Sequence, residues 1–394
     1  MAGLYIHIPF CKSRCIYCSF YSTTHHELRQ RYVDALCREM EMRGQRSEAR
    51  GERIETIYLG GGTPSQLTIS QLEQLFQYMN KVYPLTTHHL PLTPEITIEM
   101  NPDDVTTAYA EALVRLGINR VSMGAQTFDD QRLCFLHRRH TAAQVPQAVQ
   151  TLRDAGIRNI SIDLMDGFPG ETLEQWERDI DCALSLDVEH LSAYCLSIEE
   201  GTPLWRLKMK DEKLKMDEER IKMPGEELER TMYELLIDKL TAADYEHYEI
   251  SNFARPGFRS RHNSSYWHDV PYIGLGAAAH SYSPPQTSPQ GRGIRSWNVA
   301  DIHQYIEALE RGELPSGSEQ LDEDTHYNDR ITTALRTSDG LDLACLSDRH
   351  RSYCMKEAQR FVDDGLLILQ GDHLTLTRKG LFVSDYILST LMLV

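Results

Sequence analysis

The sequence predicts an α/β fold in which a strand-and-helix unit repeats six times along the first half of the chain. Short apolar, β-branched runs recur, and helical patterns lie between them. Such alternation predicts a parallel sheet with right-handed crossovers. Six units suit an open (β/α)6 barrel, and periodicity alone also allows a doubly wound sheet. A length of 394 residues is enough for two or more domains.

The predicted elements follow one another in regular order. The strands cover 4–8, 54–59, 96–100, 120–123, 159–164 and 190–196. The helices cover 28–45, 69–82, 106–116, 129–155 with a break, 173–186 and 226–242. The expected domains are a barrel over 1–206, a linker and barrel extension over 207–318, and a C-terminal domain over 319–394.

The residues that end the predicted strands favour the barrel. In barrels the active site is built at the carboxyl ends of the strands. Each strand here ends in polar or glycine-rich sequence. These ends are the cysteines from 11 to 18 and the segments 60–64, 99–102, 124–127 and 167–170.

Three cysteines directly follow the first predicted strand. Cys11, Cys15 and Cys18 have the spacing C-x3-C-x2-C. Thiolates so close in sequence can bind three irons of a [4Fe–4S] cluster, which leaves the fourth iron open to a chelating group such as an amino-acid head group. Zinc is the alternative, but it usually takes four ligands from paired cysteines, and no second pair lies nearby in the sequence.

The string YIHIPFCKSRCIYC at 5–18 resembles the radical S-adenosylmethionine (SAM) proteins. It is similar to the branch that holds the oxygen-independent coproporphyrinogen III oxidases and the HemW-like heme chaperones. The resemblance extends to about residue 269 and weakens after it. It implies a partial (β/α)6 radical SAM barrel, with the three cysteines on a [4Fe–4S] cluster and SAM on the open iron.

The resemblance also implies which residues contact SAM. The GGGTP segment at 60–64 looks like the one that binds the methionyl amine, and glycines permit close backbone approach. Arg138 can pair with a carboxylate, and Asp163 can accept from ribose hydroxyls. The implied SAM residues are Tyr5, Tyr17, Gly61, Gly62, Thr63, Glu99, Gln126, Arg138 and Asp163. The alternatives are a tight turn for the glycines, a surface carboxylate for Glu99, a solvated basic patch for Arg138 and strand packing for Tyr5.

The segment HNSSYW at 262–267 matches the HNxxYW motif associated with heme binding in HemW-like chaperones. Histidine can bind heme iron, and aromatic rings can pack on the heme face. The resemblance implies heme contacts from His262, Asn263, Tyr266 and Trp267, with His262 on the iron and His280 as a second candidate ligand. From the residues alone, a structural loop with a hydrogen-bonded histidine is the simpler interpretation.

Two features favour a heme carrier over a decarboxylase. Phe20 stands where the oxidases have a fourth cysteine, and about three residues precede the first strand where they have an extension. The expected function is a chaperone that delivers heme to hemoproteins, with membrane-bound respiratory enzymes among the acceptors. The alternative is a radical SAM oxidoreductase that decarboxylates coproporphyrinogen or opens the heme ring. A pure carrier has no obvious need for SAM, which keeps this alternative open.

Composition limits the partners and the compartment. The formal net charge of −17 disfavours general nucleic-acid binding. No apolar run is long enough to span a bilayer, and no signal peptide is expected. Nine cysteines without paired spacing fit a reducing cytoplasm. We expect a cytoplasmic protein, either monomeric or a homodimer that depends on the cluster.

The rest of the chain predicts connections and a small C-terminal domain. A charged helix or linker is expected over 207–225, a break over 284–293, a helix over 302–309 and a polar connection over 313–324. Helices over 326–336 and 353–364 precede strands over 366–369 and 374–377. This arrangement resembles a winged helix. Because the chain is acidic, a lid or docking surface is expected rather than DNA binding.

Overall fold

The computed structural model describes residues 2–48, 54–83, 93–214, 222–285 and 292–393. Parts of two sequence predictions therefore lie outside the described residues. These are 215–221 of the charged linker and 286–291 of the proline- and glycine-rich break.

Six parallel strands form the centre of one large sheet and lie in the order of the chain. They are β1 (Ala2–Ile8), β2 (Ile54–Gly61), β3 (Glu95–Met100), β4 (Arg120–Gln126), β5 (Asn159–Asp166) and β6 (His190–Cys195). A doubly wound sheet reverses its strand order at a switch point, whereas these strands are sequential throughout. The predicted partial barrel is therefore confirmed over the alternative.

The crossover helices match the predicted positions to within a few residues. They are α1 (Arg29–Glu48), α2 (Ile69–Val82), α3 (Thr107–Arg115), α4 (Asp130–Phe135), α5 (Gln144–Ala155) and α6 (Leu173–Ser185). Thr68 and Thr172 begin α2 and α6 with capping boxes, in which the side chain and a glutamine three residues later satisfy end N–H groups. The predicted break in 129–155 separates α4 from α5.

The barrel core lies between the strands and these helices. Leu4, Ile6 and Ile8 on β1 are buried, as expected for strands covered by crossover helices. The hydroxyl of Tyr32 on α1 donates to the carbonyl of His7 at 2.8 Å. This contact fixes α1 against the end of β1, just before the cysteine segment.

Both edges of the parallel sheet are extended by short strands that the sequence analysis did not predict. Next to β6 lie β7 (Glu246–Glu249) and β8 (Asn252–Ala254); next to β1 lie β9 (Tyr272–Leu275), β10 (His280–Ser283), β11 (Gly293–Asn298) and β12 (Ser316–Leu321). The helices of this region are α7 (Pro203–Leu214), α8 (Glu226–Ala242), α9 (Arg261–Trp267) and α10 (Ile302–Glu310).

Two predictions for this region were wrong. The polar connection over 313–324 contains β12, whose side chains are mostly exposed and which forms by backbone pairing with β11. No apolar alternation marks such an edge strand. The supposed loop at 262–267 belongs to α9, which begins where the Ser260 hydroxyl accepts from the N–H of Asn263 at 3.3 Å.

The C-terminal region has its own apolar core and the predicted helix, helix and hairpin order. It contains α11 (Glu323–Ala334), β13 (Leu341–Asp342), α12 (Asp348–Asp363), β14 (Leu367–Gln370), β15 (His373–Leu376), α13 (Arg378–Leu381) and α14 (Ser384–Leu391). The last two helices were not predicted. Within the described ranges, no helix is long and apolar enough to cross a membrane.

A half-buried carboxylate joins this region to the barrel. Asp269 accepts hydrogen bonds from His326 Nε2 at 3.1 Å, from Arg330 Nη2 at 2.6 Å and from the hydroxyl of Tyr282. Burial works against ionisation, but these hydrogen bonds lower the pKa of Asp269 to about 2. The ionised carboxylate therefore links α11 to the sheet extension.

Candidate cofactor site

A cavity of about 510 Å3 opens at the carboxyl ends of the parallel strands. The cysteine segment and the ends of β2 to β6 form its walls. The three cysteines share this cavity with eight of the nine predicted SAM residues, namely Tyr17, Gly61, Gly62, Thr63, Glu99, Gln126, Arg138 and Asp163. Tertiary structure therefore brings together residues that lie far apart in the sequence.

The three thiols have an environment suited to a cluster. Cys11 is buried and its Sγ lies 3.5 Å from the hydroxyl of Thr63, while Arg138 Nη1 donates to Cys15 Sγ at 3.7 Å. Burial raises the pKa of the Cys11 and Cys18 thiols, so their thiolates need a nearby positive charge. An iron cluster would supply that charge.

The spacing of the thiols also bears on the metal. In the described residues, no three histidine, cysteine or acidic side chains are grouped so as to hold a single metal ion. In a [4Fe–4S] cube each thiolate binds a different iron, so the thiolates need not meet at one point. The donor set of Cys11, Cys15 and Cys18 thus fits a three-thiolate cluster.

Two carboxylates in the cavity wall favour a positively charged ligand. Glu99 accepts from the hydroxyl of Tyr58 at 2.8 Å and from the N–H of Gly61 at 3.1 Å. Burial raises the pKa of Glu99 to about 7 and that of Asp163 to about 6. A positively charged ligand would offset the cost of ionising both groups. The ammonium and sulfonium groups of SAM have that charge.

The glycine segment packs closely against the end of β1, just before the cysteines. A Cβ on Gly61, whose φ is +112°, would lie 2.4 Å from Cε1 of His7, and a Cβ on Gly62 would lie 2.7 Å from the backbone of Pro9. The N–H groups of these glycines donate to Glu99 at 3.1 Å and to the carbonyl of Ile8 at 2.9 Å. The two glycines thus form a turn that packs closely against β1. Their N–H groups already have acceptors and are not free to bind an amino-acid ligand.

Arg138 belongs to the cavity rather than to a solvated basic patch. Its Nη2 donates to Asn101 Oδ1 and to the carbonyl of Gly124, both at 2.6 Å. These contacts hold the guanidinium beside Cys15. Gln126 lies just after a bulge between β4 and β5 and has a φ of 67°, a left-handed conformation that is uncommon outside glycine.

Tyr5 is the one predicted SAM residue outside the first cavity. Its hydroxyl lies 3.0 Å from Nδ1 of His7, and it lines a second cavity of about 380 Å3. Ser19 and Phe20, in the segment that follows the cysteines, line both cavities. Phe20 is 68% exposed, so its aromatic ring is accessible to solvent.

His262, which the sequence predicts to bind a heme iron, lies in a hydrogen-bond network. His262 is buried, with Nδ1 2.8 Å from the hydroxyl of Thr56 and Nε2 2.8 Å from that of Tyr266. Both ring nitrogens are therefore engaged. Burial, with a smaller contribution from Arg120, lowers the pKa of His262 to about 3, which keeps the ring neutral.

The other motif residues divide between two locations. Tyr266 lines the second cavity and meets the ring of Tyr272 edge-on, with centroids 4.6 Å apart. Trp267 instead packs near Tyr248, with centroids 5.9 Å apart, and the N–H of Asn263 takes part in the cap of α9. The motif thus reaches the second cavity through Tyr266 alone.

Sequence reasoning gave no role to the end of β6. Tyr194 and Cys195, the last two residues of that strand, both line the first cavity. The rule that strand ends build the site would have included the sixth strand. No motif marks Cys195, so only its position could have indicated it.

The fold and the cysteine-lined cavity are those of a radical SAM protein. Residues 5–183 match the radical SAM superfamily model, and residues 321–383 match the HemN C-terminal domain model. The chain belongs to the HemW family of heme chaperones, as its similarity to curated members shows.

Two relatives and one solved structure illustrate the similarity. Heme chaperone HemW of Bacillus subtilis is 35% identical, over 88% of this chain and 91% of the relative. Heme chaperone HemW of Mycobacterium tuberculosis H37Rv is 33% identical, over 99% and 94%. The structure of coproporphyrinogen III oxidase HemN from Escherichia coli has a TM-score of 0.80 at 21% identity, covering 99% of this chain and 89% of that one. This last likeness concerns the fold.

Proposed function

We propose that this protein is a heme chaperone that binds heme and a SAM-coordinating [4Fe–4S] cluster and delivers heme to target hemoproteins. The observation that carries the proposal is a pair of cavities, one with three cysteines and one with aromatic rings, that are both lined by Ser19 and Phe20. Membership of the HemW family supports the same function. The proposed setting is the cytoplasm, with membrane-bound respiratory enzymes among the acceptors.

In the first cavity, Cys11, Cys15 and Cys18 would hold the cluster. When bound, a cluster of this type supplies an electron and one open iron, which the amino and carboxylate groups of an amino acid can chelate. The ionised carboxylates of Glu99 and Asp163 would balance the positive charges of SAM. Arg138 holds a positive charge beside the sulfur of Cys15.

In the second cavity, aromatic rings would hold the porphyrin. Tyr266 and Tyr272 supply edge and face contacts of the kind that flat aromatic ligands make. The cavity is next to the cysteine segment, so heme and cluster would share one loop. A chaperone that senses its cluster before it releases heme would need such proximity.

A second candidate is a radical SAM enzyme that acts on a porphyrin. One observation favours it: eight predicted SAM residues line the same cavity as the cysteines, which a pure carrier does not require. Phe20 opposes it, since the oxidases of this fold carry a cysteine at that position and this chain has an exposed aromatic ring.

A paired experiment tests the two candidates. Anaerobically reconstituted protein is given SAM, a reductant and coproporphyrinogen III, and a parallel sample is titrated with hemin. Tight hemin binding with no decarboxylated product supports the chaperone. Catalytic formation of protoporphyrinogen would overturn it in favour of the enzyme, and failure to bind hemin would reject the carrier function directly.

A further inference from the structure

Arg120, the first residue of β4, is a buried charged side chain that the proposed function does not use. Only 1% of its surface is exposed, and within the described residues its Nε and Nη1 have no hydrogen-bond partner. Burying a guanidinium without such partners costs free energy. The explanation has to come from other charges in the barrel.

Arg120 points into the barrel, in a layer beneath the first cavity. Side chains alternate along a strand, so Arg120 shares the inward face of β4 with Ser122, which lines that cavity. On the neighbouring strand, Thr97 pairs with Arg120 and Glu99 pairs with Ser122. The hydroxyl of Ser122 also donates to Asp163 at 3.4 Å. The guanidinium therefore lies below the layer in which the two cavity carboxylates meet.

The charge of Arg120 acts on both carboxylates. Burial raises the pKa of Glu99 to about 7 and that of Asp163 to about 6, and the guanidinium lowers the pKa of each. Together the two ionised groups carry two negative charges. Arg120 offsets one of these charges, and the sulfonium of SAM would offset the other. Buried charges interact over several ångströms, so this effect requires no direct hydrogen bond.

The other titratable groups near this cluster are neutral or have other partners. Burial raises the pKa of the tyrosines around it and lowers that of the histidines, so all of them are uncharged near neutrality. They are Tyr5, Tyr58, Tyr194, Tyr248, His190 and His262. Arg138 also lowers the pKa of Asp163, with a smaller effect than Arg120, but it donates to Cys15. The carboxylate of Glu95 accepts from the first N–H groups of α9.

We propose that Arg120 is a positioning residue for SAM: its guanidinium is the built-in counter-charge that keeps Glu99 and Asp163 ionised before SAM binds. Arg120 does not line the cavity, so it acts through the two carboxylates and not on the ligand itself. This inference rests on the proposed function, because it assumes that SAM binds in the first cavity.

The proposal predicts that removal of the charge affects SAM binding differently at two pH values. Near neutrality, loss of the guanidinium raises the pKa of Glu99 and Asp163 further, so more of the protein is protonated at these groups and binds SAM poorly. At alkaline pH both groups are ionised with or without Arg120. Loss of the guanidinium then only removes its repulsion of the sulfonium. A purely structural role would weaken binding at both pH values.

The test is a calorimetric titration of anaerobically reconstituted protein with SAM. Arg120→Gln, which removes the charge but keeps a polar side chain, should bind SAM about fivefold or more weakly at about pH 7 and equally or more tightly at about pH 9. Arg120→Lys keeps the charge and should stay within about twofold of the wild type at about pH 7. The matched control is Arg115→Gln, which changes an exposed arginine at the end of α3 and should leave both affinities unchanged.

The outcomes separate this inference from the proposed function. Equal weakening of Arg120→Gln at both pH values, or no weakening near neutrality, would overturn the inference. If Arg120→Gln does not fold, loss of SAM binding by folded Arg120→Lys would overturn it as well; thermal melts and iron content check folding. A wild type that binds hemin but no SAM would overturn the inference and leave heme delivery standing. The expected pH pattern in a protein that binds no hemin would support the inference and reject the carrier function.

Discussion

The guanidinium of Arg138 lies 3.7 Å from the sulfur of Cys15. Two further hydrogen bonds, to Asn101 and Gly124, hold it in that position. It therefore places a fixed positive charge next to one of the three proposed cluster thiolates.

The first prediction concerns the reduction potential of the cluster. Arg138→Gln removes a positive charge and a hydrogen bond to sulfur, so the reduced, more negative cluster is less stable and the potential should fall. Anaerobic redox titration followed by electron paramagnetic resonance measures the change. Arg139→Gln is the matched control, because Arg139 pairs with Asp103 and Asp104. The change in reduction potential should be smaller in this variant. Equal shifts in the two variants would contradict the assignment.

The second prediction concerns the cluster ligands. Cys15→Ala should abolish the iron–sulfur absorbance of the reconstituted protein, which is expected at roughly 400 nm. The reason is that the proposed cluster depends on three thiolates, and this variant removes one of them. Cys195→Ala is a close control, because Cys195 lines the same cavity but lies outside the motif. It should keep wild-type iron content. Retention of the cluster in Cys15→Ala would refute the assignment.

The third prediction concerns the pH dependence of SAM binding. Because burial raises the pKa of Glu99 to about 7, the carboxylate loses its charge as the pH falls through neutrality. If SAM requires the ionised form, affinity should fall about tenfold between about pH 8 and about pH 6. Calorimetric titration over this range measures it. Glu99→Gln should bind more weakly and show a much flatter profile; a wild-type slope in this variant would exclude Glu99 as the titrating group.

The fourth prediction concerns the glycine segment. Gly61→Ala puts a Cβ 2.4 Å from the ring of His7 at a left-handed φ, so the end of β1 must shift. Unfolding free energy should drop by about 2 kcal/mol or more, and cluster content should fall with it. Gly117→Ala, also at positive φ but with no atom within 4 Å, isolates the backbone penalty in a thermal melt. Equal losses in the two variants would show that contact with His7 is unimportant.

The fifth prediction concerns the junction at Asp269. The pKa of Asp269 in the folded protein is about 2, below the ordinary value of 3.8. The stability that the ionised carboxylate contributes is therefore present above pH 3.8 and is lost as the pH falls toward 2. Asp269→Asn should lower the free energy of unfolding by about 2 kcal/mol at neutral pH. This loss is smaller than that expected on breaking a fully buried ion pair. Denaturant melts at several pH values measure this. Asp372→Asn, which breaks an exposed pair with Arg351, should change little.

Local sequence patterns were sufficient for the strands and helices of the barrel. Apolar β-branched runs and helical spacing located α2 and α8 without error, because these elements bury one continuous face. They did not reveal β12, whose side chains are mostly exposed and which depends on pairing with β11. Edge strands of this kind carry no local signal.

The residues of the candidate site were also predicted in part from the sequence. The cysteine spacing and the strand-end rule indicated most of the first cavity, because the carboxyl ends of parallel strands meet at one edge of a sheet. Tyr5 lies on β1 as predicted and lines the second cavity instead of the first. Which of two neighbouring cavities a strand residue reaches depends on tertiary packing, which no local pattern encodes.

The sequence by itself therefore determined the partial barrel, the three cysteines and the residues that surround them, since these follow from local periodicity and from the position of strand ends. Only the tertiary structure decided which groups the motif histidine contacts. The hydrogen bond from His262 to Thr56 joins residues 206 positions apart, and such a contact depends on the packing of α9 against β2 rather than on any local pattern.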